Sequence, residues 1–173
     1  MSERTPAPGG LVLIQSLVNT LDIETGADAL DTADGRARFG LGGDEGEGEV
    51  ESARELRESL RVVCLAHAGH PAHREVRPLD ELLASAPLVV TVAAADGSAA
   101  FRPADPAPLA PLASRVAAAV AESLTAGTWL RLKACEAPDC HWAYYDRSPA
   151  GRGRWCSMSG CGARAKMRRY RAK

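Results

Sequence analysis

The sequence predicts a mainly α (α+β) protein, with an N-terminal helical domain that carries a small β-hairpin and a C-terminal cysteine-rich module that ends in a short basic helix. Three observations predict this organisation. Apolar residues recur at helical spacing in the first 127 residues, four of the five cysteines form two close pairs near the C-terminus, and the net charge changes sign near residue 130. The predicted domain boundaries are 10–127 and 131–173.

Helices of the N-terminal domain follow from the spacing of apolar side chains. Leu56, Leu60 and Val63 share one helical face, and Cys64 behind them is expected to be a small core residue. The last helix lies in an Ala-rich segment, in which apolar residues recur every four positions from Leu112 onward. It is expected to end near Gly127, because glycine is common just after helices. The predicted helices cover residues 11–21, 28–33, 51–68, a short segment from Pro78, and 111–125.

One β-hairpin is predicted between the short helix that begins at Pro78 and the helix over 111–125. Residues 88–94 form a Val-rich run, Asp96-Gly97 is a dipeptide typical of tight hairpin turns, and residues 98–102 return. A stiff connector follows, formed by Pro103, Pro106, Pro108 and Pro111. Residues 40–49 read as a flexible loop, because four acidic side chains among its glycines would repel phosphate.

A histidine-rich segment offers a second set of metal-ligand types: Cys64, His67, His70 and His73. Gly69 and Pro71 interrupt the helix between these side chains, so the spacing fixes no ligand geometry. We therefore expect a surface turn here in preference to a metal site.

The two cysteine pairs have the spacing of a metal site. Each pair encloses four residues, and 15 residues separate the pairs. Disulfides are the alternative, but the N-terminus lacks the apolar core of a signal peptide, which predicts a reducing cytoplasmic location. Four thiolates would occupy every position of a tetrahedral zinc site and would leave none open for catalysis. His141 is a less favourable candidate for a zinc ligand. One structural Zn²⁺ is predicted, with the ligands Cys135, Cys140, Cys156 and Cys161.

The residues between the pairs are expected to run out and back as a hairpin. Trp142, Tyr144 and Tyr145 would lie on the outgoing strand and Trp155 on the returning strand. These aromatic side chains would fill a small core beside the metal, separate from the core of the helical domain, because the module has few aliphatic residues. Stacking on nucleic-acid bases is the alternative role.

Charge divides the chain at the same place. Residues 131–173 hold 11 of the 21 basic side chains and three of the 22 acidic ones, which leaves +8 in this segment and −9 before it. Such a basic segment is typical of a polyanion binder, although a solvated basic tail has the same charge. A short helix is expected from Gly162 onward, with Arg164 and Arg168 placed to read bases. The candidate nucleic-acid contacts are Arg147, Arg152, Arg154, Arg164, Lys166, Arg168, Arg169 and Arg171.

The C-terminal segment resembles the CGNR-type zinc finger of bacterial proteins. The resemblance rests on the two cysteine pairs, on the Tyr-Asp-Arg-Ser stretch at 145–148, on Arg-Trp-Cys-Ser-Met at 154–158 and on Cys-Gly-Ala-Arg-Ala-Lys at 161–166. It implies a zinc-ribbon-like module. Ala163 departs from the family pattern, which has Asn there, so a turn or cap hydrogen bond supplied by that Asn is expected to be missing.

The N-terminal part resembles the ABATE domain, a stress-induced transcription regulator that usually accompanies this zinc finger. The likeness rests on Val-Asn-Thr at 18–20, on Glu-Leu-Arg-Glu-Ser-Leu at 55–60 and on the order of the elements. It implies a mostly helical domain with a regulatory role, which would sense a small-molecule effector or form a homodimer.

Two classes of function remain open at this stage. The first is a zinc-dependent, DNA-binding transcription regulator, and the second is a zinc-stapled module that docks on an acidic protein surface or binds RNA. No Ser-His-Asp, Cys-His or paired-carboxylate arrangement occurs in a recognisable context, so we expect no enzyme. No apolar run reaches the roughly 20 residues of a membrane helix, so no membrane association is expected.

Overall fold

A computed structural model describes residues 5–42, 46–105 and 110–172 of the chain. The mainly α prediction is confirmed: helices dominate, and the strands form two antiparallel pairs. The helices are α1 (Leu11–Val18), α2 (Ala33–Ala37), α3 (Gly46–His67), α4 (Leu79–Leu83), α5 (Leu112–Thr125) and α6 (Ala163–Arg171). The strands are β1 (Leu88–Val92), β2 (Ala99–Pro103), β3 (Leu132–Ala134) and β4 (Ala143–Tyr145).

The main core forms where α1, α3 and α5 pack together, as their apolar periodicity predicted. Ile14 of α1, Leu60 of α3 and Val116 of α5 are completely buried. Cys64 is also completely buried, so its predicted role as a core residue is confirmed. Burial of these aliphatic faces is the main source of stability for helices of this length.

Strands β1 and β2 form the predicted hairpin, with Leu88 opposite Pro103 and Val92 opposite Ala99. Gly97 adopts a φ of +70°, a conformation that a side chain would strain, and so it permits the turn. Strand β2 packs on α5, which supports a hairpin too small to be stable alone.

Some predicted boundaries were wrong. Helix α3 begins at Gly46, inside the segment predicted as an acidic loop, because Glu47 and Glu49 favour the N-terminal turn of a helix. The predicted helix over 28–33 is a 3₁₀ turn at Ala29–Asp31 followed by α2, and the Thr32 side chain caps α2 by accepting from the Gly35 amide at 3.1 Å. Residues 43–45 of the predicted loop, Pro106 and Pro108 of the connector and Lys173 lie outside the described residues.

The second strand pair corrects the expectation of two separate cores. Leu132 and Ala134 of β3 and Ala143 of β4 are completely buried in the main core, together with residues of α1, α3 and α5. The cysteine cluster has its own small apolar group only from Cys135 onward. The reason is composition: Leu132, Ala134 and Ala143 are small or aliphatic, and the helices bury them better than a metal site could.

The predicted out-and-back hairpin between the cysteine pairs was also wrong. Strand β4 pairs with β3, which precedes the first pair, so this hairpin encloses Cys135 and Cys140. The described residues from 146 to 157 contain no strand. Pro149 cannot donate to a strand ladder, and the buried Asp146 carboxylate takes the amide hydrogens of Ser148 and Gly153 that a ladder would use.

Among the helices that the structure describes, none combines the length and the hydropathy that a membrane crossing requires.

Candidate metal centre and basic surface

The first cysteine pair is positioned by the β3–β4 hairpin. Cys135 follows the last residue of β3, and its amide donates to the carbonyl of Trp142 at 3.0 Å. The amides of Cys140 and His141 both donate to the Ala137 carbonyl, which closes a tight turn between the two thiols. His141 has a φ of +44°, the left-handed conformation that allows the chain to leave this turn and enter β4.

The second pair is positioned by a helical turn. Cys156 precedes a wide turn at Met158–Gly162 that leads directly into α6. The Ser157 hydroxyl caps this turn by accepting from the Gly160 amide at 3.2 Å. Helix α6 itself begins at Ala163 without a side-chain cap. Cys161 lies within the turn and points its thiol to the other three.

The four thiols of Cys135, Cys140, Cys156 and Cys161 lie within 4.8 Å of one another. The Cys140 and Cys156 sulfurs are 3.7 Å apart, and so are those of Cys156 and Cys161. A tetrahedron with Zn–S bonds of about 2.3 Å has edges of about 3.8 Å, so these separations fit one zinc ion. No cysteine is in a disulfide.

The pKa values of the clustered thiols are also consistent with a site for a cation. Hydrogen bonds from the Cys140 and Cys156 thiols lower the pKa of Cys135 to about 4, whereas the hydrogen bonds that Cys156 makes with Cys135 and Cys140 raise the pKa of Cys156. The thiols therefore oppose each other's ionisation when no cation is present. Zn²⁺ binds thiolates, so it would remove this opposition and hold all four sulfurs as structural ligands.

One cation of the protein already contacts the cluster. The Arg164 guanidinium lies 3.3 Å from the Cys161 sulfur and 3.1 Å from the Glu24 carboxylate, which belongs to the helical domain. Asp139, in the first cysteine turn, lies 3.7 Å from the same guanidinium. Arg164 was predicted to read bases; its side chain, which is 40% exposed, here contacts the cysteine cluster and Glu24.

Sequence profiles of two families match the chain. The profile of the ABATE family, described as "Putative stress-induced transcription regulator", matches residues 11–127. The chain belongs to the ABATE family. The profile of the CGNR zinc finger matches residues 131–173 of this ABATE protein, so the two follow each other in the predicted order. No curated protein matches the chain.

In this ABATE protein, the predicted nucleic-acid contacts fall into two groups. Arg147 donates to the Pro6 carbonyl and lies over the Tyr145 ring, and Arg154 is paired with Glu136. Together with Arg164, these side chains have partners in the protein. The second group lies exposed on the loop and on α6 without a hydrogen bond or ion pair to any residue that the structure describes: Arg152, Lys166, Arg168, Arg169 and Arg171.

Two basic residues counted in the charge of the module have partners within the protein. Lys133 is buried and donates to the Asp146 carboxylate at 2.9 Å. Arg131 donates to the carbonyls of Asp146 and Ser148. Burial raises the pKa of Asp146, but hydrogen bonds from Ser148, Lys133 and Gly153 outweigh it and hold this pKa well below its usual range. These contacts fix the loop that follows β4.

The aromatic residues divide between the two cores. Trp155 packs against the cysteine cluster, as expected. Tyr145 instead packs against the main core, and Tyr144 is buried with its hydroxyl lacking a hydrogen-bond partner among the described residues. The expectation that all of them surround the metal was wrong because β4 pairs with β3 and thereby joins the main core.

The predicted surface turn at the histidines was wrong in part. His67 ends α3, stacks edge-to-face on Trp129, and donates from Nδ1 to the Leu132 carbonyl at 2.8 Å. His73 contacts the Glu58 carboxylate at 3.1 Å and stacks against His141. These two histidines link the helical domain to the metal module. The cysteine cluster is the one metal-ligand group found in the part of the chain that the structure describes.

Sequence analysis missed a buried charged network on α3. Arg57, Glu58 and Arg61 are almost fully buried, and Arg61 donates to the Val18 carbonyl at 2.6 Å. Arg57 pairs with Asp28 at 2.6 Å. The resemblance to ABATE at residues 55–60 had singled out this segment, but helical periodicity treats charged residues as exposed, so it gave them no role.

Proposed function

We propose that this ABATE protein is a DNA-binding transcription regulator of the stress response, located in the cytoplasm, that acts by binding and not by catalysis. The observation that carries the proposal is the attachment of a basic, exposed helix to a rigid cysteine cluster. Helix α6 begins one residue after the wide turn that contains Cys161, so a bound zinc ion fixes its direction.

The charges of α6 need a polyanion. Lys166, Arg168, Arg169 and Arg171 lie within six residues and are exposed, and repulsion between them opposes helix formation. DNA phosphates relieve that repulsion, and an α-helix of this diameter fits the major groove. Arg152, on the loop before Cys156, is placed to hold a phosphate beside the helix. Of the two predicted base-reading residues, Arg168 is the one available to contact DNA in the proposal, because Arg164 is occupied.

The acidic helical domain contacts the first turn of the helix that carries this surface. Glu24 pairs with Arg164 at 3.1 Å, which joins the domain to the first turn of α6. An effector or a second copy that moved the loop around Glu24 would release this contact. We propose this loop as the point where the helical domain controls the zinc finger.

DNA binding is tested by fluorescence anisotropy of the zinc-loaded full chain on a duplex of about 20 base pairs. If four to six phosphates are neutralised, log K falls with log salt at a slope of about −4 to −5. Arg152→Ala should flatten the slope by about one unit. Arg102→Ala, an exposed arginine on β2, is the matched control and should leave the slope unchanged.

Affinity that is independent of salt, or the same for the duplex and for an acidic peptide of equal charge, would contradict the proposal. The latter result would favour a module that docks on acidic protein surfaces. RNA of the same sequence is the third ligand in the assay, and a clear preference for it would assign the basic surface to RNA.

A further inference from the structure

A cleft of about 550 Å³ lies between the first cysteine turn and α6. Its lining includes Trp155 and Glu136 with its partner Arg154, which we name the floor, and Arg168 and Arg169 of α6, which we name the wall. A volume of this size is in the range of small-ligand sites. The roles predicted for Arg154, Arg168 and Trp155, which are phosphate contact, base reading and core packing respectively, do not account for a cleft between them.

Trp155 gives the cleft an aromatic surface. Its ring is half-buried, packs against the cysteine cluster and also borders the cleft. The Arg154 guanidinium lies 5.7 Å from the centre of this ring. Because the cluster holds the indole in place, the ring can stack on a planar ligand without losing further conformational freedom.

Glu136 gives the cleft a hydrogen-bond acceptor. One oxygen of its carboxylate is paired with Arg154, and the other, Oε2, is buried without a hydrogen-bond partner among the residues that the structure describes. A carboxylate disfavours phosphate at this depth, but it accepts hydrogen bonds from the exocyclic amines of nucleobases, as Glu and Asp do from cytosine N4. The floor of the cleft therefore suits an amine-bearing base.

The wall on α6 suits a phosphate. Arg168 and Arg169 are exposed, and both line the cleft. The cleft is thus lined by two basic side chains, one aromatic ring and one carboxylate with an unpartnered oxygen. These groups are complementary to the phosphate, the base and the base amine of one nucleotide.

We infer that the cleft binds one unpaired nucleotide of DNA, with the base stacked on Trp155, its exocyclic amine directed to Glu136, and its phosphate held by Arg168 and Arg169. The inference rests on the proposed DNA-binding function and names its ligand class. A paired base cannot reach the floor, because both its faces are stacked in the duplex. The protein therefore recognises single-stranded or locally opened DNA that contains cytosine, adenine or guanine at this point.

The test compares 12-nucleotide oligo(dC) and oligo(dT) on the zinc-loaded full chain. Both strands stack weakly on themselves, but only cytosine carries an exocyclic amine. We expect oligo(dC) to bind at least fivefold more tightly than oligo(dT), and Glu136→Gln to remove the difference. The ratio of the two affinities is the readout, because freeing Arg154 changes both affinities alike.

Two further pairs of variants separate the groups of the cleft. Trp155→Phe keeps an aromatic ring in the cluster and should weaken oligo(dC) binding about threefold, whereas Trp142→Phe, at an aromatic residue that does not border the cleft, should not. The double variant Arg168→Ala/Arg169→Ala should weaken both strands more than Lys166→Ala/Arg171→Ala, which removes the same charge from α6. Zinc content, measured for each variant, reports that the module is folded.

Equal affinity for oligo(dC) and oligo(dT), or a ratio that Glu136→Gln leaves unchanged, would overturn the inference while salt-dependent duplex binding kept the proposed function. Loss of binding to all DNA would overturn both. Equal effects of the two double variants would show that Arg168 and Arg169 contribute only through their charge. That result would also contradict the assignment of the cleft as a nucleotide site.

Discussion

The side-chain amide of Asn19 pairs with the backbone of Ala143 as a neighbouring strand would. Its Nδ2 donates to the Ala143 carbonyl at 2.9 Å, and its Oδ1 accepts from the Ala143 amide at 2.7 Å. Gln15, one turn earlier on α1, donates more weakly to the same carbonyl at 3.4 Å. The end of α1 thus satisfies the edge of β4, and the helical domain and the metal module share one hydrogen-bonded boundary.

Removing this pairing should destabilise the whole chain. Asn19→Ala leaves the amide of Ala143 buried without a partner and leaves its carbonyl only the weaker bond from Gln15, so we expect a loss of about 2 kcal/mol in the free energy of unfolding. Urea denaturation followed by circular dichroism measures it. Ser16→Ala, at an exposed position on α1, is the control and should change stability by less than about 0.5 kcal/mol. An equal effect of both substitutions would show that the Asn19 pairing contributes nothing.

Zinc binding should depend on the four clustered cysteines. We expect one zinc ion per chain by elemental analysis, its loss in Cys156→Ser, and its retention in Cys64→Ala, because Cys64 is buried in the main core. Hydrogen exchange after chelation should rise from Cys135 to His141 and along α6. Leu132 and Ala134 should stay protected because they pack among the helices. Retained protection throughout residues 135–172 without zinc would contradict a structural metal.

The buried pair of Lys133 and Asp146 should behave as a costly charge when broken. Lys133→Met leaves the carboxylate buried without its cation, and we expect a loss of about 3–5 kcal/mol in unfolding free energy. Adding Asp146→Asn should recover part of this loss, because it removes the uncompensated charge. Thermal and urea unfolding of the two variants give the comparison. A double variant no more stable than Lys133→Met alone would show that the pair is not coupled.

Acid should destabilise the chain through Glu58. Burial raises the pKa of this carboxyl, but the hydrogen bond from His73 and the charges of Arg61 and Arg57 outweigh burial and lower it from 4.5 to about 2. The unfolded chain therefore binds the proton first as pH falls, so the stabilisation is present above about pH 4.5 and is lost towards pH 2. Glu58→Gln should flatten the decline of stability in this range.

Glu55→Gln is the matched control for this pH dependence. Glu55 lies one turn earlier on α3 and pairs with Arg77 at 2.8 Å, but both side chains are about half exposed. Its substitution should leave the slope of stability between pH 5 and pH 2 nearly unchanged. If the two variants flattened the slope equally, the acid sensitivity would not come from the buried network.

Arg164 should support the metal site and not the recognition of a base. Arg164→Ala removes the cation that contacts the Cys161 sulfur, and we expect about a tenfold loss in zinc affinity, measured by competition with a chromophoric chelator. Lys166→Ala, on the exposed side of the same helix, should not change zinc affinity. If Arg164→Ala instead reduced the preference for one DNA sequence and left zinc affinity unchanged, Arg164 would be a base-reading residue.

The sequence by itself determined the mainly α fold class, the β1–β2 hairpin, most helix positions and the four zinc ligands. These features depend on local spacing: apolar residues recur every three or four positions in a helix, and Asp96-Gly97 suits a tight turn. The cysteine spacing was sufficient for the ligand set, because each pair of thiols is held by its own short turn.

Only the tertiary structure decided how the two parts join. The pairing of β4 with β3, the double hydrogen bond of Asn19 with Ala143 and the burial of Arg57, Glu58 and Arg61 all depend on residues far apart in the chain. The sequence does not show whether a charged side chain is exposed to water or is buried beside a partner. Arg164 and Arg168 therefore appeared equivalent in the sequence, and only the position of Glu24 and Cys161 beside Arg164 distinguishes the surroundings of the two side chains.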